Sequence, residues 1–337
     1  MALARHCAAA PTALLPASLQ LARWCHGGVS AAALGRPAAT QVSGHLVTDA
    51  ADPRVVLYRK KPRRPRALYE KEVSALAERA LRGQGAMPES RHADCLVSVH
   101  FSFECLRRLQ DAKAAGRDVL LHSVFAPSCA PDRLLALASA AAPDALYVAD
   151  SRLFEAEFQR KDAGQPGKMC SFVVAFPVSR PIAALQPPFV VLNELKSAQN
   201  VGQILRSAFH FGVTSVIASR GAWENLGGRA ARTSMGWLYH MDFHLADSIP
   251  GALRELRALD IRSYAAESQF SEAVAPHTPR GDKRWALVLG NEDVGVSQAS
   301  MQLCDAHICV PQRQGESLNV AHAAAICMYE LGRDMGP

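Results

Sequence analysis

The sequence contains no apolar run that approaches the roughly 20 residues needed to cross a bilayer, so we expect no membrane-spanning segment. Its nine cysteines are scattered, odd in number and free of any C-x-x-C pair. This pattern excludes a disulfide framework or a cysteine zinc site, and it fits buried thiols in a reducing compartment. The usual phosphate-binding signatures, G-x-G-x-x-G after a strand and G-x-x-x-x-G-K-[ST], are also missing. If the protein binds a nucleotide-like cofactor, it does so by another geometry.

Metal-binding patterns are equally scarce. His240 and His244 have the i, i+4 spacing of a helical metal pair, but the sequence supplies no third ligand nearby. Ordinary tertiary contacts are the favoured interpretation of this pair, and we expect no metal site.

Acidic residues are absent before Asp49, whereas alanine is frequent and Arg5, Arg23 and Arg36 are basic. Organelle transit peptides have this composition. We therefore expect residues 1–48 to direct the protein to mitochondria. A disordered alanine-rich extension and a start codon placed too early are the alternatives, and without a targeting segment the protein would be cytoplasmic.

Basic charge is concentrated in the first half of the chain. Residues 188–337 hold 13 basic and 15 acidic side chains, whereas the rest holds 24 and 16. The densest tract is "RVVLYRKKPRRPR" at 54–66, with seven basic residues and no acid. Because its like charges repel and it buries little, we expect a mobile arm that contacts nucleic-acid phosphates. A solvated linker is the alternative.

The composition, 49% hydrophobic and 20% charged, is that of a globular protein with a substantial core. The predicted segments follow one another along the chain: the extension at 1–48, the basic arm and a helix at 49–92, a small α/β domain at 93–180, a proline-rich linker at 181–188 and a larger domain at 189–337. In the larger domain we predict strands at 189–195, 214–219, 261–267, 285–292 and 306–311, and helices at 200–211, 249–260 and the C-terminus. Strands separated by helices predict a parallel sheet covered on both faces.

Three loops that follow predicted strands carry the polar residues of interest. They read N-V-G-x-x-x-R at 200–206, L-V-L-G-N-E-D-V-G at 287–295 and V-P-Q-R-Q-G-E-S-L-N-V-A at 310–321. Taken singly, each has a simple explanation: Arg206 as a solvated helix residue, Gly290 as a turn, and Ser317 as a helix cap.

Together, in this order and spacing, the three loops closely resemble the three motifs of the SpoU family of RNA ribose 2′-O-methyltransferases, in the SPOUT class. The stretch "ARTSMGWLYH" at 231–240 is similar to the Ser-x-Gly segment between the first two motifs. The resemblance covers residues 189–332. Residues 93–180 resemble the small N-terminal domain of the family in their α/β rhythm alone, which implies that they bind RNA or substrate. The resemblance over 189–332 implies a parallel sheet whose C-terminal segment forms a deep trefoil knot, an exception to the rule against knotted chains. It also implies S-adenosylmethionine as cofactor and a homodimer with sites near the subunit interface.

The resemblance also implies roles for particular residues. The implied catalytic set is Asn200, Arg206, Glu292, Ser317 and Asn319. The implied cofactor-binding set is Leu289, Gly290, Val310, Pro311 and Leu318, acting largely through backbone groups. Because a guanidinium stays protonated, we expect Arg206 to act as a fixed cation beside the developing alkoxide or the adjacent phosphate. Asn200 and Glu292 would orient Arg206 and the loops.

Two departures from the family pattern leave a second function open. Ser197-Ala198 stands where the family often has Asp-Pro, and the loop from Pro311 to Ser317 is one residue shorter than usual. The complete set of polar residues favours an RNA 2′-O-methyltransferase, whereas the short loop favours a weakly active or inactive RNA-binding ribosome-assembly factor. Ribosomal RNA is the expected substrate over transfer RNA, because no basic helical extension follows the third motif.

Overall fold

The computed structural model of the protein describes residues 45–49, 51–52, 55, 58, 96–100, 103–117, 119–130, 132–141, 146–158, 170–268, 284–314 and 317–333. Residues 1–44, most of the basic arm and the helix predicted after it within 49–92 lie outside the described residues. None of the helices in the described part is long and apolar enough to cross a membrane.

The first part of the chain forms a mixed five-stranded sheet. Its strands are β1 (His45–Val47), β2 (Leu96–His100), β3 (Leu120–Pro127), β4 (Leu146–Ala149) and β5 (Ser171–Ala175), in the spatial order β1-β4-β3-β5-β2. Its helices are α1 (Phe103–Ala114), α2 (Asp132–Ala141) and the short α3 (Ser151–Leu153), followed by a π-helical turn at Phe154–Phe158. β1, β4 and β3 are parallel, and β5 is antiparallel to both β3 and β2.

Two short parts of the chain before β2 differ from the sequence prediction. β1 pairs in parallel with Tyr147–Ala149 of β4, so the N-terminal extension ends before residue 45 rather than at 48. Val55 and Tyr58, both within the predicted mobile arm, are buried, and the Tyr58 hydroxyl shares a 2.6 Å hydrogen bond with the Ser123 hydroxyl. The prediction of a mobile arm is therefore wrong at these two positions, because their apolar side chains anchor the backbone to the sheet.

The C-terminal half forms a sheet of six parallel strands. They are β6 (Phe189–Leu192), β7 (Ser215–Ala218), β8 (Asp242–Leu245), β9 (Arg262–Ala266), β10 (Trp285–Leu289) and β11 (Ala306–Ile308). Their spatial order is β11-β9-β10-β6-β7-β8. The predicted parallel sheet is confirmed. The sequence missed β8, a four-residue edge strand that buries only Phe243.

Helices cover both faces of the six-stranded sheet. They are α4 (Ala198–His210), α5 (Arg220–Trp223), α6 (Gly228–Thr233), α7 (Ile249–Ala258), α8 (Gln298–Met301) and α9 (Val320–Gly332), with 3-10 turns at Ile182–Ala184 and Trp237–His240. Alternate residues of β6 enter different cores: Val190 and Leu192 pack with α4 and α9, whereas Phe189 and Val191 pack with α7. Burial on both faces explains why the strands read as continuous apolar runs.

The two sheets are joined by direct packing. The Arg108 guanidinium of α1 lies 3.4 Å from the ring centroid of Trp237, and the Cys105 thiol of the same helix donates a 3.3 Å hydrogen bond to the Ala231 carbonyl. The predicted linker at 181–188 is itself packed, because Ile182 and Leu185 are buried in the same core as α7.

Candidate active site

A cavity of about 590 Å³ lies at the carboxyl ends of β9, β10 and β11, beside the first turn of α9. Its volume is within the roughly 300–1,000 Å³ typical of small-molecule sites. Open parallel sheets bind their ligands at the carboxyl ends of the strands. The cavity is lined by residues 266–268, 289–295, 308, 310, 312, 317–320, 323 and 327.

The first motif forms the start of α4. Ser197 is the N-cap of this helix, and its hydroxyl accepts the backbone N–H of Asn200 at 3.3 Å. Gly202 allows α6 to pack closely against α4, because a Cβ at this position would lie 1.8 Å from Thr233 Oγ1 and 2.6 Å from the Ala230 carbonyl oxygen. The glycine of N-V-G is therefore required by helix–helix packing.

The second motif is a tight turn at the end of β10. Asn291 and Gly295 exchange backbone hydrogen bonds of 3.0 and 2.9 Å, and the Asn291 side chain donates to the Glu194 carbonyl at 2.7 Å. The turn folds closely over Gly290, where a Cβ would lie 2.1 Å from both the Gly295 carbonyl carbon and the Val296 nitrogen. Only glycine fits this position, and the turn forms one wall of the cavity.

Glu292 joins the second motif to the first. Its carboxylate accepts the backbone N–H groups of Lys196 and Ser197 at 2.9 and 3.1 Å, and the Asn200 side-chain amide at 2.9 Å. Burial alone would raise the pKa of Glu292, but these donors outweigh it and lower the pKa below its usual range. This stabilisation is therefore present at neutral pH and is lost as the pH falls through the lowered pKa.

Asn319 joins the third motif to the first. Its side-chain amide donates to Asn200 Oδ1 at 3.2 Å, and its Oδ1 accepts the backbone N–H of Ala321 at 2.9 Å as the N-cap of α9. Asn319 is thus the helix cap, and the alternative that assigned capping to Ser317 is wrong. Glu292, Asn200 and Asn319 form one hydrogen-bonded chain that unites all three motifs.

Four of the five predicted cofactor-binding residues, Leu289, Gly290, Val310 and Leu318, line the cavity, whereas Pro311 does not. Leu318 is 39% exposed, and no hydrogen bond to its backbone groups occurs within the described part of the chain. Ser317 also lines the cavity. The roles of these residues stay predictions.

Arg206 occupies an exposed position on α4 and does not line the cavity. Its guanidinium forms no ion pair or hydrogen bond with the residues that the structure describes. Asn200 does not line the cavity either, but Glu292 and Asn319 connect it to the lining. One copy of the protein therefore places Asn200, Glu292, Ser317 and Asn319 in the cavity lining or in contact with it. Arg206 is not part of this group.

Sequence reasoning missed several polar residues at the cavity, namely Glu267, Gln312 and Asp293. Glu267 directly follows β9, and a carboxylate at the carboxyl end of a parallel strand is the signal that could have identified it. Asp293 Oδ2 accepts a 2.8 Å hydrogen bond from Lys196 Nζ, which links the turn after β10 to the loop before α4.

No group of three His, Cys, Asp or Glu side chains among the described residues could hold a metal ion. Of the histidine pair noted in the sequence, His244 is placed by a 2.7 Å contact between its Nδ1 and the Arg180 carbonyl oxygen.

The cavity fits S-adenosylmethionine in size and in surface chemistry. An adenosine needs apolar walls for its base, and Leu289, Val310 and the exposed side chains of Leu318 and Val294 provide them. The polar tail needs hydrogen-bonding groups, which the lining supplies through Ser317 and its other polar residues. The backbone of Leu318, which has no partner in the described part of the chain, offers an additional donor and acceptor.

Comparisons with known proteins agree with this geometry. Residues 187–329 match the SpoU rRNA Methylase family. An uncharacterized tRNA/rRNA methyltransferase of Mycobacterium tuberculosis is 29% identical over 230 residues, covering 60% of this chain and 79% of that protein. The 23S rRNA (guanosine(2553)-2′-O)-methyltransferase RlmP of Bacillus subtilis is 30% identical over 143 residues, covering 42% of this chain and 56% of that protein.

Solved structures show the same fold. The SpoU methyltransferase AviRb of Streptomyces viridochromogenes, in complex with AdoMet, has a TM-score of 0.61 at 17% identity and covers 81% of this chain and 98% of its own. An rRNA methyltransferase of Sinorhizobium meliloti has a TM-score of 0.61 at 19% identity, covering 87% and 99%. The trefoil knot is expected for this fold. Residues 187–329 of this chain, whose three motifs are joined at one cavity, form a domain that matches the SpoU rRNA Methylase family.

Proposed function

We propose that this protein is an S-adenosylmethionine-dependent methyltransferase that modifies a ribose 2′-hydroxyl of RNA. The observation that carries the proposal is the chain of hydrogen bonds from Glu292 through Asn200 to Asn319, which joins the three motifs beside the cavity. A protein that only binds RNA need not retain Arg206 and Ser317 beside this connected set. The 2′-O-methyltransferase names of relatives such as RlmP support the same reaction.

The polar residues divide three tasks among them in this proposal. When bound, S-adenosylmethionine supplies an electrophilic methyl group. Glu292, Asn200 and Asn319 hold the motif loops in place, since their hydrogen-bonding groups are engaged with one another and with backbone. Ser317 lines the cavity and contacts substrate or cofactor. Arg206 stabilises negative charge on the ribose oxygen or the adjacent phosphate as a fixed cation.

Calorimetry with S-adenosylmethionine is the first test of this function. An active enzyme binds the cofactor, whereas a SPOUT-fold assembly factor whose shortened third loop no longer seats it does not. Absence of binding at high micromolar ligand would exclude the methyltransferase function and leave the RNA-binding factor.

Ribosomal RNA is the proposed substrate. The RlmP relative and an RlmB relative of Bordetella pertussis carry 23S rRNA 2′-O-methyltransferase names, whereas the Mycobacterium relative is named for both tRNA and rRNA. Mapping ribose methylation in cells with and without the protein distinguishes the two. A site lost from transfer RNA alone would replace ribosomal RNA with transfer RNA as the substrate.

We also propose a homodimer formed through α9. Ile326 and Tyr329 of this helix are 40% and 54% exposed, although both are large and apolar. Tyr329 contacts Phe211, the C-cap of α4, with ring centroids 5.9 Å apart, so the exposed pair adjoins the C-terminal end of the helix that carries Arg206. A second copy docked here would cover the patch and complete the site around Arg206.

Ile326→Glu together with Tyr329→Glu should therefore convert the dimer to a monomer, because two buried charges without partners oppose association. Sedimentation analysis measures the change. Leu46→Glu is the matched control, since Leu46 is 53% exposed but lies on β1. A double variant that sediments like the unmodified protein would contradict this interface.

Mitochondrial targeting by the acid-free N-terminus is a further part of the proposal. Because β1 begins at His45, removal of residues 1–44 is the appropriate truncation. The shortened protein should fold and methylate RNA but no longer reach mitochondria, as fluorescence imaging of tagged proteins would show. Unchanged import would contradict the targeting role.

The basic arm is proposed to supply much of the attraction for RNA, since residues 188–337 hold more acidic than basic side chains. Changing the seven basic residues of 54–66 to Gln, while keeping the buried Val55 and Tyr58, removes charge without removing the anchor. RNA affinity should fall, and the log–log salt slope should decrease by roughly 0.7 to 0.9 for each phosphate that the arm no longer neutralises.

RNA titrations at several salt concentrations measure that slope, and cofactor affinity should stay unchanged. Arg254→Gln, at an exposed position on α7, is the control for removal of a single charge elsewhere. An unchanged slope in the arm variant would indicate a passive spacer.

A further inference from the structure

Among the described residues, three carboxylates line the cofactor cavity, and Glu267 differs from the other two. Glu292 is held by three N–H donors, and Asp293 pairs with Lys196 Nζ at 2.8 Å. Glu267 receives a single hydrogen bond from the described part of the chain, from the backbone N–H of Val296 to its Oε1 at 2.9 Å. Its other oxygen, Oε2, has no hydrogen-bond partner among those residues.

The position of Glu267 is well fixed. Its backbone N–H donates to the Ile308 carbonyl at 3.0 Å, which continues the pairing of β9 with β11. Its carboxylate lies against Gly295, where a Cβ would be 3.0 Å from Oε2. Burial raises the pKa of Glu267, although the Val296 hydrogen bond opposes the rise. An acceptor at a cavity wall that has no protein partner is available to a ligand, and a hydrogen bond to a charged group is among the stronger ones.

The sheet order indicates which part of the cofactor Glu267 would meet. β9 and β6 lie on opposite sides of β10, so their carboxyl ends are about 10 Å apart at the usual strand spacing. The methyl-transfer residues belong to the β6 side, where Asn200 bonds Asn319. Glu267 is on the far side, next to the turn at Gly290 that is predicted to hold the adenosine. The hydrogen-bond donors of that portion of the cofactor include two vicinal ribose hydroxyls.

We propose that Glu267 binds the ribose hydroxyls of the cofactor through Oε2, while its Oε1 holds the glycine turn through Val296. Acidic residues perform this task for dinucleotides in doubly wound sheets, where a carboxylate at a strand end accepts from a ribose hydroxyl. Here the same chemistry occurs without the glycine fingerprint. The inference rests on the proposed use of S-adenosylmethionine.

Calorimetry on the full chain with S-adenosylhomocysteine and its 2′,3′-dideoxy analogue tests the interaction without measuring activity. Glu267→Gln keeps an oxygen that can accept from Val296 but removes the charged acceptor. This variant should bind S-adenosylhomocysteine roughly ten- to hundredfold more weakly than the unmodified protein. The unmodified protein should bind the dideoxy analogue more weakly than S-adenosylhomocysteine by a similar factor. For Glu267→Gln, the affinities for the two ligands should differ by less than about threefold.

If removal of the two hydroxyls lowered the ligand affinity of both proteins by the same factor, the proposal would be overturned, because the carboxylate would then act only through the turn. A desamino analogue is the second arm: if the two proteins differ in their response to loss of the amino group instead, Glu267 binds the ammonium and the proposal is wrong. If the Gln variant does not fold, equal binding of S-adenosylhomocysteine and its dideoxy analogue by the unmodified protein overturns it. Failure of the unmodified protein to bind S-adenosylhomocysteine at all would count against the proposed function itself.

Discussion

Replacing Arg206 with alanine should reduce methyl transfer by about 10²- to 10³-fold while changing cofactor affinity by no more than a few-fold. Loss of one preorganised group that stabilises developing charge has an effect of this size. Cofactor affinity is spared because Arg206 is not part of the cavity lining and its side chain supports none of the described loops. Single-turnover methylation of RNA and calorimetry with S-adenosylmethionine separate the two effects.

Arg254→Ala is the matched control for this variant. It removes an arginine at an exposed position on α7, which packs on the opposite face of the sheet from α4. Methyl transfer by the control should be unchanged. A strong loss of cofactor binding in Arg206→Ala would show that the arginine supports the cavity and would contradict its assignment to the ribose oxygen or phosphate.

The arrangement of the three motifs could be predicted from the sequence because it follows from sheet geometry. The loops containing Glu292 and Ser317 follow β10 and β11, and the loop to Asn200 follows β6. The carboxyl ends of parallel strands meet at one edge, so loops that follow such strands are brought together wherever they occur along the chain. Apolar runs were sufficient to identify five of the six strands.

The hydrogen bonds inside the site could not be predicted in the same way. Asn319 donates to a residue 119 positions away, and the Glu292–Asn200 pair is separated by 92 positions. Local patterns contain no information on such distant pairs. Ser317 and Asn319 are both good N-cap residues, so only the backbone path decides which of them caps α9. The burial of Tyr58 within a basic tract depends in the same way on a distant partner, Ser123.

The departure from Asp-Pro in the first motif has a local explanation. Ser197 caps α4 through its hydroxyl, and serine and aspartate are about equally good at this position. The negative charge that aspartate would place at the helix N-terminus is supplied here by Glu292, whose carboxylate accepts the N–H groups of Lys196 and Ser197. The substitution therefore preserves the geometry that presents Asn200.

Gly290→Ala should abolish detectable cofactor binding and destabilise the protein by about 1–3 kcal/mol, the usual cost of overpacking a close contact. The added Cβ would lie 2.1 Å from the Gly295 carbonyl carbon and the Val296 nitrogen. Both are backbone atoms, so no side-chain rotation relieves the overlap and the turn must open. Opening displaces Glu292 from the N-terminus of α4 and distorts the wall of the cavity.

The matched control is Gly227→Ala, at a glycine with no atom within 4 Å of the added Cβ and an ordinary φ of −86°. It should bind S-adenosylmethionine normally. Its free energy of unfolding should fall by at most about 1 kcal/mol, since alanine is a poorer N-cap than glycine. Calorimetry and chemical denaturation of both variants measure the difference. If Gly290→Ala binds the cofactor as well as the control does, the turn can open without disturbing the site, and Gly290 is then required for the fold of the loop but not for holding the adenosine.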